Sequence, residues 1–251
     1  MKKSFCVYYC LYGDIKYTEI LKLSVISLNQ FVSKENIFVF SEYDIPELKY
    51  NCNLVLTKFP EGYAKPMGYR LILGKELLKN YDKVLHLDAD TLVVDNIDCI
   101  FECFENEKIS FATENPNYPD KITGQCWAGP LLNQEEHNTY NNVSSICCGV
   151  FGFDKSVSFI LDKIYNFIAE CEDTGFAEVC RDQHAFATYV LRNRLYNYNL
   201  QKYVCHTPAK DINIEKNFKI YHFAGGVIAG NKHQVMKNFL LDRMDIKNDK
   251  L

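Results

Sequence analysis

Tyr81-Asp-Lys-Val-Leu-His-Leu-Asp88-Ala-Asp90-Thr-Leu-Val-Val-Asp95-Asn-Ile-Asp98 is the stretch whose reading decides how this chain folds. An apolar run, Val84 to Leu87, ends abruptly in two carboxylates, Asp88 and Asp90, and a second apolar run, Leu92 to Val94, follows at once. The length and composition of Lys83 to Leu87 predict a buried strand. In extended backbone, side chains two residues apart project to the same side, so the two aspartates are expected to share one cation. Charge set between buried segments is costly unless a cation or hydrogen-bond donors compensate it. Ligands of open α/β sheets gather at the carboxyl ends of strands, which is where Asp88 and Asp90 fall if this strand is central.

Toward the amino end, Phe5 to Leu11 reads as a strand, and about Tyr17 to Phe31 as a helix with Leu21, Val25 and Leu28 on one face. Asn36 to Phe40 and Leu54 to Thr57 read as two short strands, and Gly68 to Lys79 as a second helix. Strands alternating with helices imply parallel pairing with right-handed crossovers, hence an α/β fold. Toward the carboxyl end, Asn115 to Asn142 is rich in proline, glycine, asparagine and glutamine and holds the single tryptophan, Trp127. It reads as a long loop, either a binding element or an exposed insertion. Beyond it a strand is expected over Ile146 to Phe153, helices over Val157 to Cys171 and Asp182 to Leu191, a strand over Lys219 to His222, and a closing helix over His233 to Leu241.

The chain has 251 residues, 47% apolar and 24% charged, the balance of a soluble globular protein. Its 28 basic residues against 32 acidic ones leave a net charge of −4, with no general attraction for nucleic acid or an anionic membrane. No apolar run approaches membrane-spanning length, so no transmembrane segment is expected. The apolar stretch after Met1-Lys2-Lys3 ends too early at Gly13-Asp14 for a signal peptide. Eleven cysteines without a C-x-x-C pair match neither a zinc site nor a disulfide framework. Reduced thiols in a reducing, cytoplasmic compartment are therefore expected.

The segment from Asp82 to Asp98 resembles the central motif of family 8 glycosyltransferases, the glycogenin and galactosyltransferase group. That resemblance implies a single GT-A (Rossmann-like) domain over residues 1–251, with a mostly parallel central sheet flanked by helices. A nucleotide-binding half would cover about 1–98, and a sugar and acceptor half about 99–251. It implies a UDP-sugar donor, a glycan, protein or small-molecule acceptor, and manganese, with magnesium as the alternative. Asp88, Asp90 and His222 would hold the metal, a mixed oxygen and nitrogen set that suits manganese better than calcium. Tyr12 and Tyr17 would lie by the uridine, and Arg70, with Lys65 a weaker candidate, by the donor. Ala89, Cys148, Gly149 and Gly225 would line the donor site, and Asp182 and Gln183 would stand beside the anomeric carbon as catalytic residues.

Two departures from the family pattern stand out. Cys147 replaces an asparagine in the segment that contacts the donor sugar, and Ile228 stands where a lysine is expected, leaving Lys232 or His233 to reach a phosphate. On the residues alone, Asp182 also reads as a helix cap and Arg70 as a surface ion pair at a helix start. The resemblance implies retention of anomeric configuration. The alternatives are an inverting transferase, a phosphatase of the haloacid dehalogenase type using Asp88-Ala-Asp-Thr91, and a sugar-nucleotide-binding module without turnover.

Overall fold

Alternation along the first strand, Phe5–Leu11, sends Cys6 and Tyr8 to one face of a sheet and Val7, Tyr9 and Leu11 to the other, and all five are buried. A strand buried on both faces belongs in the middle of a sheet covered by helices. The structure is a computed structural model, and it describes residues 4–113, 128–175, 177–206, 218–224 and 232–243, with the side chains of 177–181 left aside. In chain order its elements are β1 (Phe5–Leu11), α1 (Tyr17–Asn29), β2 (Ile37–Ser41), β3 (Asn53–Leu56), α2 (Lys65–Leu77), β4 (Lys83–Leu87) and β5 (Thr91–Val93). Then follow α3 (Asp98–Glu102), β6 (Ile109–Thr113), α4 (Gln134–Tyr140), β7 (Ile146–Asp154), α5 (Ser158–Asp173), α6 (Ala177–Arg192), β8 (Tyr196–Asn197), β9 (Val204–His206), β10 (Ile220–His222) and α7 (Lys232–Arg243).

A seven-stranded sheet runs β3-β2-β1-β4-β7-β6-β8, parallel from β3 to β4, with β7 the antiparallel member. The fold is α/β, mostly parallel and flanked by helices, as a GT-A, Rossmann-like domain is. One face packs Tyr8, Phe111, Phe151, Phe153 and Phe186 among α2, α5 and α6, and the other packs Val7, Tyr9, Val39 and Leu85 against Leu21, Val25 and Leu28 of α1. Gly74 lets α2 close onto the sheet, since a Cβ there would come within 2.6 Å of the Tyr8 hydroxyl.

A second sheet, β5-β10-β9, starts where β4 ends. Between α1 and α7 it buries Leu92 and Tyr221 with Met236, Phe239 and Leu240. The three α7 side chains fall at helical spacing, and their burial supplies on the order of 5–9 kcal/mol before entropy is charged. That fastens the start of α7, and with it Lys232, over the carboxyl end of β4.

Three expectations need correcting. The second helix begins at Lys65 with Pro66 in its first turn, not at Gly68. Lacking a cap of its own, it borrows one: the Glu172 carboxylate of α5 accepts from the backbone N–H groups of Tyr63, Ala64 and Lys65 at 2.9, 2.8 and 2.7 Å. The expected loop Asn115 to Asn142 contains α4, started by a capping box between Asn133 and Glu136 that an Asn-x-x-Glu string announces. The helix expected from Asp182 starts at Ala177, so Asp182 lies inside it and caps nothing.

Cys6, Cys10, Cys52, Cys99, Cys103, Cys147 and Cys171 are free thiols. Among the described residues no helix is long and apolar enough to cross a membrane.

Candidate functional site

Asp88, Ala89 and Asp90 form the turn by which the chain leaves the large sheet at β4 and enters the small one at β5. The carboxylates thus converge through a turn rather than through the extended backbone the spacing predicts. The Thr91 hydroxyl donates to the Asp88 carbonyl at 2.9 Å and lies 3.2 Å from the Ser24 hydroxyl of α1, so this buried threonine closes the turn and takes no place in the cleft. Asp88 N–H donates to the Gly149 carbonyl at 2.8 Å, and Phe223 N–H to the Asp90 carbonyl at 2.9 Å. Those two bonds bring β7 and β10 to the motif, and the antiparallel register pairs His222 with Thr91.

Above this junction opens a cleft of about 850 Å³, a size suited to a nucleotide-scale ligand. Tyr12, Tyr17, Arg70, Asp88, Ala89, Asp90, Cys148, Gly149, Asp182, Gln183, His222 and Lys232 all line it. Gly225 and Trp127 lie outside the described residues. Lys65 does not line the cleft and pairs with Asp173 at 2.6 Å. Cys147 is buried off the cleft: its Sγ points at His222 Nδ1, 3.2 Å away. The expectation that Cys147 alters the sugar-facing wall is therefore corrected, because neighbours along β7 point to opposite faces and Cys148 takes the cleft side.

His222 Nε2 lies 3.2 Å from Asp90 Oδ1 and 3.9 Å from Asp88 Oδ2, and the three side chains bring their ligand atoms within 4.8 Å of one another. Gly149 leaves the room for this: a Cβ there would sit 2.3 Å from His222 Cε1 and 2.8 Å from Asp88 Oδ2. The pocket attracts positive charge. Lys232, first residue of α7, places Nζ 2.6 Å from Asp90 Oδ2. Burial opposes a charged His222, but the charges and hydrogen bonds of Cys147 and Asp90 lift its pKa well above the ordinary value. Burial likewise opposes the Asp88 anion, yet the His86 hydrogen bond and the charges of Arg70 and His222 hold its pKa well below the carboxylate range. Two oxygens and one nitrogen around a glycine-made gap fit a divalent ion.

Arg70 sits within α2, only 7% exposed, over the face of Phe151. It is neither at a helix start nor on the surface, as the ion-pair reading had it. Its guanidinium pairs with Asp182 and reaches Asp88 Oδ1 at 3.3 Å. Burial, with Asp88's like charge added, raises the Asp182 carboxyl above its ordinary pKa even beside Arg70. Gln183 donates its amide to the Ile146 carbonyl at 3.1 Å, tying the neighbour of Asp182 to β7.

Sequence reasoning passed over His86, which is buried between Tyr8 and Phe151, with Nε2 3.1 Å from Asp88 Oδ1. Burial pushes its pKa down to about 4, so the ring is neutral and holds Asp88 as a donor. Strand alternation carried the signal, since His86 stands two residues before Asp88. His206, opposite His222 in the parallel pair β9 and β10, was also missed and has no comparable local signal.

A mostly parallel α/β sheet whose central strand delivers two aspartates to a cleft, completed by a histidine from a later strand, defines a GT-A-like domain. No protein-family model matches the chain. Among curated proteins it is similar to glycogenin-1 of Mus musculus, 29% identical over 184 residues that cover 72% of this chain and 46% of that protein. It is similar too to glycogenin-1 of Oryctolagus cuniculus, 32% identical over 124 residues that cover 49% of this chain and 33% of that protein. The chain thus spans less than half the length of the curated relatives it matches. It has a family 8 glycosyltransferase-like relationship.

Proposed function

We propose that this chain is a glycosyltransferase that moves a sugar from a UDP-sugar to the hydroxyl of a glycan, protein or small-molecule acceptor, with retention of anomeric configuration. The observation that carries the reading is the convergence of Asp88, Asp90 and His222 in one cleft with Arg70, Lys232 and Asp182. Asp88, Asp90 and His222 would hold manganese, with magnesium as the alternative. A divalent ion bound there supplies charge neutralisation for a departing diphosphate.

The chain's own residues do the rest. Arg70 fixes Asp88 and Asp182 and adds a permanent positive charge to the cleft wall. Lys232 exchanges its Asp90 partner for a phosphate oxygen when the nucleotide enters, helped by the positive end of α7. Asp182 and Gln183 face the sugar and steady positive charge as the glycosidic bond breaks. Tyr12 and Tyr17 border the uridine, and Ala89, Cys148 and Gly149 bring backbone close to the diphosphate and sugar, with Gly225, outside the described residues, a further donor-site residue by resemblance. In this reading residues 1–251 form one domain, with the nucleotide on about 1–98 and sugar and acceptor on about 99–251. The free thiols support a cytoplasmic, reducing location.

UDP release over a panel of UDP-sugars tests the reading. Release from one donor should need manganese, stop with chelator, and fall about 10²-fold or more in Asp90→Ala. No release from any donor, or release indifferent to chelator and substitution, overturns it. An α-linked product from an α-linked donor, read from the anomeric proton by NMR, establishes retention, and a β-linked one refutes it.

A further inference from the structure

His222 uses only one of its two nitrogens at the carboxylates. The other, Nδ1, lies 3.2 Å from Cys147 Sγ, and that sulfur lies 3.8 Å from Nδ1 of His206. Three strands make this cluster: β7 supplies Cys147, while β9 and β10 place His206 and His222 opposite each other in register. The three side chains bring their ligand atoms within 4.8 Å of one another, with Cys147 and His222 buried and His206 half-buried. One sulfur and two imidazoles form a soft ligand set, unlike the carboxylates on the far side of the ring. Zinc bond lengths at a tetrahedral angle require sulfur-to-nitrogen separations of about 3.5 Å. The observed 3.2 and 3.8 Å lie on either side of that value.

We propose that Cys147, His206 and His222 form a second metal site, for a thiophilic divalent ion of the zinc class, that shares His222 with the carboxylate site. On binding, the Cys147 S–H bond breaks, a sulfur–metal bond forms, and the thiol proton and the Nδ1 proton of the charged His222 leave to solvent, so that each imidazole gives a ring lone pair. A neutral His222 that ligates through Nδ1 carries its proton on Nε2. Nε2 then donates to Asp90 Oδ1 and is no longer a ligand for an ion at Asp88 and Asp90. A soft ion in this site therefore withdraws the shared histidine from the carboxylate site.

Cobalt(II), titrated into the reduced, metal-free full chain, tests the proposal. One equivalent should give a thiolate-to-cobalt charge-transfer band together with intense tetrahedral ligand-field bands. The charge-transfer band should survive Asp90→Asn, disappear in Cys147→Ser, and need about tenfold or more cobalt in His206→Asn. Far-UV circular dichroism reports folding of each variant, and His206→Asn leaves every cysteine in place. Weak octahedral bands alone, a charge-transfer band that persists in Cys147→Ser, or one indifferent to His206→Asn overturns the proposal. The assay uses no sugar nucleotide, so its outcome and that of the UDP-release assay are independent.

Discussion

Replacing Arg70 by methionine keeps much of its apolar stem but removes the charge that faces Asp182. Arg70 is 7% and Asp182 4% exposed, so the carboxylate would be left without its cation inside the protein. Two unit charges about 4 Å apart attract by about 4 kcal/mol at an effective dielectric near 20. Removing one partner of such a buried pair costs about 3–5 kcal/mol. Asp88, 3.3 Å from the same guanidinium, loses a partner too, which places the expectation toward the upper end. That is a large share of the roughly 5–15 kcal/mol by which a domain is stable. Urea unfolding followed by circular dichroism at neutral pH should show it.

The pH dependence has a definite sign. Burial already lifts the Asp182 carboxyl above its ordinary value, and without Arg70 it rises further. Between the unfolded and folded values the folded variant binds the extra proton, so its stability is full below the unfolded value and falls as pH rises through the folded one. Arg70→Met should thus lose more relative to the parent at about pH 8 than at about pH 5. Adding Asp182→Asn should restore roughly 2 kcal/mol or more, a non-additive result for groups in contact. A penalty below about 1 kcal/mol, equal penalties at the two pH values, or strict additivity refutes the buried-pair reasoning.

Glu172→Ala removes the acceptor for three backbone N–H groups at the start of α2 and should cost about 1–2 kcal/mol, a melting shift of a few degrees by circular dichroism, with Glu172→Gln recovering part. The Arg192 hydrogen bond, with the Asn133 backbone N–H added, holds the Glu136 carboxyl down to about 2 despite partial burial. Its contribution is present above the ordinary glutamate range and lost as pH falls toward that value, so Glu136→Gln should cost about 1 kcal/mol at neutral pH, discounted for solvent screening, and nothing near pH 2. Gly149→Ala should weaken manganese binding about tenfold or more in an electron paramagnetic resonance titration, because the added Cβ would lie 2.7 Å from His222 Nε2 and 2.8 Å from Asp88 Oδ2. Unchanged affinity would remove Gly149 from the site.

Much of the fold is legible along the chain because helix and strand periods are local properties. β4 falls on the expected Lys83 to Leu87, and β1, α1, β7 and α7 lie near their expected bounds. Capping is partly local: the Asn133 and Glu136 box could have been read from spacing, while the Glu172 cap on α2 joins residues far apart in sequence and could not. The pairing of β10 with β5 is equally invisible to periodicity, since a strand's pattern tells which face is buried and not which neighbour it meets.

By itself the sequence determined that two aspartates end an apolar strand in an α/β chain, and their neighbours carried a resemblance that pointed to His222, Arg70, Lys232 and Asp182 as companions. Only the tertiary structure decided how they meet. The Asp88 to Asp90 turn passes the chain between two sheets, Arg70 is spent on two buried carboxylates, Lys232 rests on Asp90, and Cys147 faces the back of His222 instead of the cleft. The physical reason is that side-chain alternation fixes direction within a strand, whereas distance between strands is fixed by register and by the packing of α1 and α7 around the smaller sheet.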